Sequence, residues 1–294
     1  MSNTRSNSGP VIPAPEAPSR VQLCLTGAML SRTGVARLLN EDVVVYVLPR
    51  CNEPLERQSA FALVADGMGG HTAGEVASRL AAETVRRRYY ELPGPVPEVL
   101  AASLAAANEA VYLRGLMDAD CAGMRTTCTV LVVEDNLAYL GHVGDSRAYL
   151  LRDGQLSQIS QDHSVVAELV RSGTLTASEA SRSPYRNLVL QALGIKRTVE
   201  PMIWREGLAV HSGDVFILCS DGLSDLLDDQ VIATLAGGLP PLEACQKLID
   251  AAVAAGGNDD VSLGVFIVGE QEPARSSPER LTRRIVPGKA WESS

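Results

Sequence analysis

Apolar residues fall along this chain in two rhythms. Short, largely continuous runs have the length of buried strands: Val43 to Leu48, Phe61 to Ala65, Thr126 to Val133, Leu137 to Val143, Arg147 to Leu151, Asp214 to Cys219 and Val261 to Val268. Further strands are predicted near Val21 to Ala28, over Gln155 to Ile159 and around Val199 to Trp204. Asp135-Asn136 and Asp153-Gly154 separate neighbouring runs by two turn-forming residues, which predicts antiparallel hairpins. The second rhythm is helical, as in Val76, Leu80 and Val85, and covers Thr72 to Tyr90 and Val96 to Met117, with Pro93 and Pro95 between them. Later helices are expected over Gln230 to Ala236 and Leu242 to Ala255. Between 162 and 194 the pattern shortens to small helices, with Ser164 as a cap and Gly173 as a stop. Strand groups set apart from helix pairs predict an α+β fold rather than an alternating parallel sheet.

The ends of the strands carry acids. Phe61 to Ala65 runs into Asp66-Gly67-Met68-Gly69-Gly70-His71, and Thr72 with Glu75 three places on has the spacing of a capping box. Gly67, Gly69 and Gly70 permit the sharp turn and let a ligand approach the main chain. Glycine is missing at position 72 for a dinucleotide fingerprint, and no Gly-Lys-Ser/Thr follows for a phosphate loop. By itself this turn reads equally as a tight connection with a solvated Asp. The arrangement recurs, however: Ser220-Asp221-Gly222 ends a second apolar strand, and Asn258-Asp259-Asp260 begins a third. Asn40-Glu41-Asp42 precedes Val43, and Gly144-Asp145-Ser146-Arg147 joins two strands. Hard divalent cations take oxygen ligands of this kind.

Composition narrows the partners. A net charge of −9 lacks the basic footprint of a nucleic-acid binder. No apolar run reaches the length of a membrane span, and no secretory signal is readable, so a cytoplasmic protein without a membrane partner is expected. The six cysteines show neither a Cys-x-x-Cys pair nor zinc-type spacing; Cys128 and Cys219 lie in apolar strands, where cysteine acts as a small hydrophobe. Residues 1–20 and 270–294 are rich in Ser, Pro and charge, and are expected to be disordered tails around a domain over 21–269.

Arg37-Leu-Leu-Asn-Glu-Asp42, Asp66-Gly-Met-Gly-Gly-His71 with Gly74-Glu75, Gly144-Asp-Ser-Arg147, Gln161-Asp-His-Ser164, Ser220-Asp-Gly222 and Asp259-Asp-Val-Ser262 follow one another in a characteristic order. The chain thereby resembles the metal-dependent PP2C-type (PPM) serine/threonine protein phosphatases, most closely the bacterial branch. The resemblance implies a PP2C-like sandwich of two antiparallel β-sheets flanked by pairs of α-helices, with a flap over about 162–194. It implies hydrolysis of phosphoserine and phosphothreonine by direct attack of metal-bound hydroxide, with two Mn²⁺ or Mg²⁺ ions. Asp66 would bridge both ions, the Gly67 carbonyl would bind the first, and Asp221 and Asp259 the second. Glu41 and Asp42 would act through metal-bound waters, and Asp145 with Asp221 would help bind a third ion.

Arg37, a planar and permanently charged fork, is the expected anchor of the substrate phosphate. His71 is either a general acid for the leaving alkoxide or a hydrogen-bonding residue behind the ligands. Arg147, His142 and His163 are expected to be structural. Three positions depart from the usual pattern: Arg32 stands where Asp is common, Arg125 interrupts Gly-Met-Gly-Thr-Thr, and Asp260 replaces Asn and adds negative charge. Expected partners are phosphorylated proteins, including a serine/threonine kinase or its targets, met by a monomer. Two alternatives stand beside this reading. One is a silent homologue that binds phosphoproteins, which would have no need for the complete acid set. The other is the related branch acting in sigma-factor control, against which the Arg37 motif and the long flap argue.

Overall fold

The computed structural model describes residues 23–49, 58–69, 73–180, 182–270 and 284–286. In chain order the elements are β1 (Leu23–Arg32), β2 (Asp42–Val47), β3 (Ala60–Met68), α1 (Ala73–Glu91), α2 (Val96–Met117), β4 (Arg125–Thr126), β5 (Cys128–Glu134), β6 (Leu137–Val143), β7 (Arg147–Arg152) and β8 (Gln155–Gln158). There follow α3 (Val165–Arg171), α4 (Ala177–Ala180), β9 (Met202–Ile203), β10 (Leu208–Ala209), β11 (Val215–Cys219), α5 (Asp221–Ser224), α6 (Asp229–Ala236), α7 (Pro241–Ala254), β12 (Val261–Glu270) and β13 (Arg284–Val286).

The strands form two antiparallel sheets. One has the order β1-β12-β11-β7-β8; the other runs β10-β6-β5-β3-β2-β13, with β4 on β3 and β9 on β6. Asp135 and Asn136, and Asp153 and Gly154, all take positive φ, the conformation of the two-residue turn that matches strand twist. Both sheets are covered on both faces, which is why their strands read as continuous rather than alternating apolar runs. Phe61, Leu63, Val130 and Val132 pack under Ala77, Ala81, Leu100 and Leu104 of the first helix pair. The intervening residues Ala62, Val64, Leu131 and Leu140 face the other sheet through Met29, Leu150, Phe216, Leu218 and Phe266. The far side of that sheet, with Tyr149, Ile217 and Val265, is covered by Leu223, Ile232 and Leu248 of α5 to α7. Four layers therefore enclose three apolar cores, the α+β sandwich expected from the sequence.

Several boundaries differ. The expected strand over 126–133 breaks at Thr127, whose backbone and hydroxyl both bond to Asp66 instead of continuing the ladder. The strand near 199–204 shrinks to β9, and β10 is too short to show a period. Glu270 closes β12, and Arg284–Val286 pairs antiparallel with Val44–Tyr46, so the segment expected as a disordered tail from 270 contributes a strand. The physical reason is that β2 otherwise offers an open row of backbone groups at the sheet edge. The rest of both expected tails, Thr72 of the capping box, and Cys51 lie outside the described residues. Cys128 and Cys219 are fully buried, and burial pushes both thiols up, as suits inert core residues.

Phe216 lies wholly buried between the sheets. Phe216→Ala is expected to destabilise the protein by about 3–5 kcal/mol through lost burial and the cavity left behind. A urea titration checks this, and an unchanged midpoint would contradict the inter-sheet core described here.

Candidate functional site

The acids meet where the two sheets present corresponding ends. Asp42 opens β2 directly opposite Asp66 on β3. Ser220, between β11 and α5, crosses from the other sheet to donate its hydroxyl to Asp42 Oδ2 at 2.8 Å. Ser262 N–H in turn donates to Ser220 Oγ at 3.1 Å. The backbone of Asp66 is fixed on both sides: its N–H donates to Thr127 Oγ1 (2.9 Å), and its carbonyl accepts from Thr127 N (2.9 Å) and Thr126 Oγ1 (2.8 Å). Gly67 N–H donates to the Glu41 carbonyl at 3.1 Å. A side chain at Gly67 would strike the carbonyls of Gly74 and Glu41, so this turn requires glycine for close approach.

Asp221 is the first residue of α5, rather than the last of a strand, and its carboxyl faces that of Asp66 within hydrogen-bonding reach. Asp145 joins them from the β6–β7 turn, where Gly144 takes φ +113. Asp259 sits at the rim, half-exposed, with Oδ1 2.6 Å from Arg37 Nη2. The other arm of that guanidinium, Nη1, lies 3.1 Å from Glu41 Oε2. Arg37, Glu41 and Asp259 are therefore one cluster.

Asp260 has a different part from the one its charge suggested. Its Oδ1 accepts from Gly34 N at 2.9 Å and its Oδ2 from Glu41 N at 2.8 Å. Both oxygens are taken by backbone amides, so Asp260 braces the loop that carries Arg37. Of the other departures from the pattern, Arg32 pairs with Asp250 at 3.6 Å, and Arg125 is exposed in β4. Arg147 holds Asp162 through Nε and Nη2 at 2.9 and 2.7 Å from Oδ2, the structural role expected of it. His71 lies outside the described residues. Asp225 was not anticipated; it follows Asp221 by four residues at the end of α5, a helical spacing legible only once that helix is recognised.

Electrostatics unify the cluster. Burial, then the charges of Asp221, Asp42 and Asp145, holds Asp66 well above the usual carboxylate range. Asp42 is pushed up to about 8 by burial, against hydrogen bonds from Ser262 and Ser220. Asp145 rises to about 7 through burial and then Asp221, and Asp221 to about 6 through burial and then Asp225. Burial likewise raises Glu41, Asp225 and Asp260. Glu41 Oε1 is buried with no hydrogen-bond partner among the described residues. An oxygen-rich cluster of self-repelling acids with an orphaned carboxylate oxygen fits hard divalent cations. Among the described residues no three acid, imidazole or thiol side chains close into a complete cage, so backbone oxygen and water would have to finish the coordination.

The fold and the cluster define a cation-seeking acidic centre on a four-layer sandwich, and comparison with known proteins places both. Residues 52–253 match the family model for protein phosphatase 2C. The serine/threonine protein phosphatase PstP of Mycobacterium tuberculosis is 37% identical over 261 residues, covering 88% of this chain and 48% of that protein. This chain thus spans about half the length of the mycobacterial relative. Protein phosphatase PhpP of Streptococcus pneumoniae is 31% identical over 250 residues, covering 83% of this chain and 98% of that one. A structure of the PstP catalytic domain in complex with two manganese ions superposes with a TM-score of 0.74 at 36% identity, covering 85% of this chain and all of that one. The chain belongs to the protein phosphatase 2C family.

The raised carboxylates make stability depend on pH. Asp42, Asp145 and Asp221 keep protons in the cation-free fold at pH values where an unfolded chain, with carboxyls near about 4, has lost them. The folded state then binds more protons than the unfolded state between about pH 4 and 8, and stability falls as pH rises through that window. Thermal melts in chelator should give a higher midpoint at about pH 5.5 than at about pH 8, with added Mn²⁺ raising the midpoint most at the higher pH. A midpoint that climbs with pH in chelator would overturn this account of the cluster.

Proposed function

We propose that the chain is a divalent-cation-dependent serine/threonine phosphoprotein phosphatase. The observation that carries this is the convergence of Asp42, Asp66, Asp145 and Asp221 from two sheets, with Arg37 on the same rim. Family membership and the two manganese ions bound by the PstP catalytic domain support the same reading.

Asp66, the Gly67 carbonyl, Asp221 and Asp259 would hold two Mn²⁺ or Mg²⁺ ions. Glu41 and Asp42 would orient coordinated water, and Asp145 with Asp221 would serve a further ion. Bound cations would supply the charge that acidifies an attacking water and offsets the phosphate's negative charge. Arg37 would take two phosphate oxygens with its planar fork, exchanging carboxylate partners for the substrate. Asp42 accepts from Ser220 Oγ, which ties the ends of the two sheets together. His71, five places after Asp66 in the sequence, would either protonate the leaving alkoxide or steady the ligands from behind. The substrates would be phosphoserine and phosphothreonine proteins, including those of an opposing serine/threonine kinase, met by a cytoplasmic monomer. Among the described residues no helix is long and apolar enough to cross a membrane.

Hydrolysis of a phosphothreonine peptide and of an aryl phosphate in Mn²⁺, Mg²⁺ or chelator tests the proposal. Turnover should require the cation and should fall on the order of 10³-fold in Asp66→Ala and Asp221→Ala, several kcal/mol of lost charge stabilisation. Arg37→Ala should lower kcat/KM roughly 10- to 100-fold, the worth of a charge-assisted pair. A folded protein that binds Mn²⁺ but hydrolyses neither substrate would instead be a phosphoprotein-binding module.

A further inference from the structure

Gln161, Asp162 and His163 carry the chain from the five-stranded sheet into the flap, and each is tied back to the β6–β7 region. His142 Nε2, on β6, meets the Gln161 carbonyl at 3.0 Å, and Asp162 is held by Arg147. His163 is tied most closely. Its N–H donates to the Gly144 carbonyl at 2.7 Å, and its ring Nδ1 accepts from the Gly144 N–H at 3.1 Å. One histidine thus engages both backbone groups of the residue immediately before Asp145. Accepting at Nδ1 places the ring proton on Nε2, and burial favours the neutral imidazole that this bond needs.

The other side of His163 belongs to the flap. Its carbonyl accepts from Leu190 N–H at 2.7 Å, Ser164 bridges to Val189, and Val165 N–H donates to the Leu188 carbonyl at 2.9 Å. Leu188 and Leu190 are each about half exposed, so the returning flap segment offers an outer surface while its backbone is fastened to His163. Gly144 itself has little freedom: with φ +113, the space where a Cβ would lie is filled by Thr127. The turn that aims Asp145 at Asp221 and Asp66 is wedged against Thr127 on one side and clamped by the imidazole on the other.

We propose that His163 is the positioning residue for Asp145, coupling the order of the flap to the geometry of the acidic centre. Loosening the returning segment Leu188–Leu190 then acts on Asp145 through one side chain, because it releases the Gly144 turn. The role assigned here rests on Asp145 serving a cation, as in the proposed function.

His163→Asn and His163→Gln separate positioning from simple packing. Asparagine places its carbonyl oxygen where Nδ1 was, whereas glutamine reaches toward the Nε2 position and leaves the Gly144 amide unserved. Mn²⁺ binding by calorimetry and amide hydrogen exchange at Gly144 and Asp145 are the readouts. Glutamine should weaken the weakest Mn²⁺ class roughly tenfold, the usual effect of losing a residue that orients a ligand, and should speed exchange at Gly144. Asparagine should stay within about threefold of the unaltered protein in both. In an Asp145→Asn background the glutamine change should cost no further Mn²⁺ affinity, since coupled sites are non-additive. Glutamine matching the unaltered protein, asparagine failing equally, or an undiminished loss in the Asp145→Asn background would each overturn the clamp. Absence of aryl phosphate hydrolysis by the unaltered protein would sink the phosphatase reading instead and leave the Mn²⁺ and exchange results to judge His163.

Discussion

Burying several carboxylates beside one another is the constraint on which the rest of this structure depends. Each acid taken from water resists ionisation, and each neighbour of like charge adds to that resistance. Asp66, Asp42, Asp221 and Asp145 stand in that relation, and burial is the largest cause of the upward shift in every one. A chain free to relax would turn these groups outward. It is held by a sandwich in which each sheet is locked between two apolar layers, so the strand ends cannot drift apart without opening a core. The same repulsion gives the site its preference for compact positive charge.

The bracing around the acids is mostly backbone. Asp66 is fixed through its own N–H and carbonyl by Thr126 and Thr127, which leaves its carboxyl free of that bracing and facing Asp221. Asp260 spends both oxygens on the amides of Gly34 and Glu41, and so joins β12 to the loop that presents Arg37. Gly67 and Gly222 are places where another backbone passes too close for any side chain: the carbonyls of Gly74 and Glu41 at the first, that of Asp260 at the second. Support from main-chain bonds and close approach is stiffer than support from long side chains, which suits a site whose ligand geometry must be set before a cation arrives.

Much of this was legible from residue order. The boundaries of α2 and β6 coincide with the apolar pattern, because proline before α2 and the Asp135-Asn136 turn before β6 punctuate it sharply. The acids at strand ends pointed to one centre, and Arg37, Glu41 and Asp259 do meet. What the sequence hid was decided by contacts between distant segments. The charge of Asp260 reads as an addition to the acidic set until its two amide partners are seen. The place of Asp225 depends on the one-turn helix α5, too short to leave a period. The pairing of Arg284–Val286 with β2 depends on an open sheet edge rather than on any local propensity of three residues.

In the proposed function Arg37 would connect this electrostatic frame to an anionic substrate. A protein of net charge −9 with Glu41 and Asp259 together at this rim should repel a phosphate group. The guanidinium is the counterweight, and it lies between Glu41 and Asp259, two of the acids whose charge an approaching phosphate would feel. Cation binding at Asp259 would weaken that carboxylate's hold on Arg37, and phosphate could then accept the freed donors without leaving either charge unpaired. Charge on the rim would thereby be redistributed rather than created. The braced loop would matter to such an exchange, since the guanidinium would have to turn between partners while its backbone stays where Asp260 holds it.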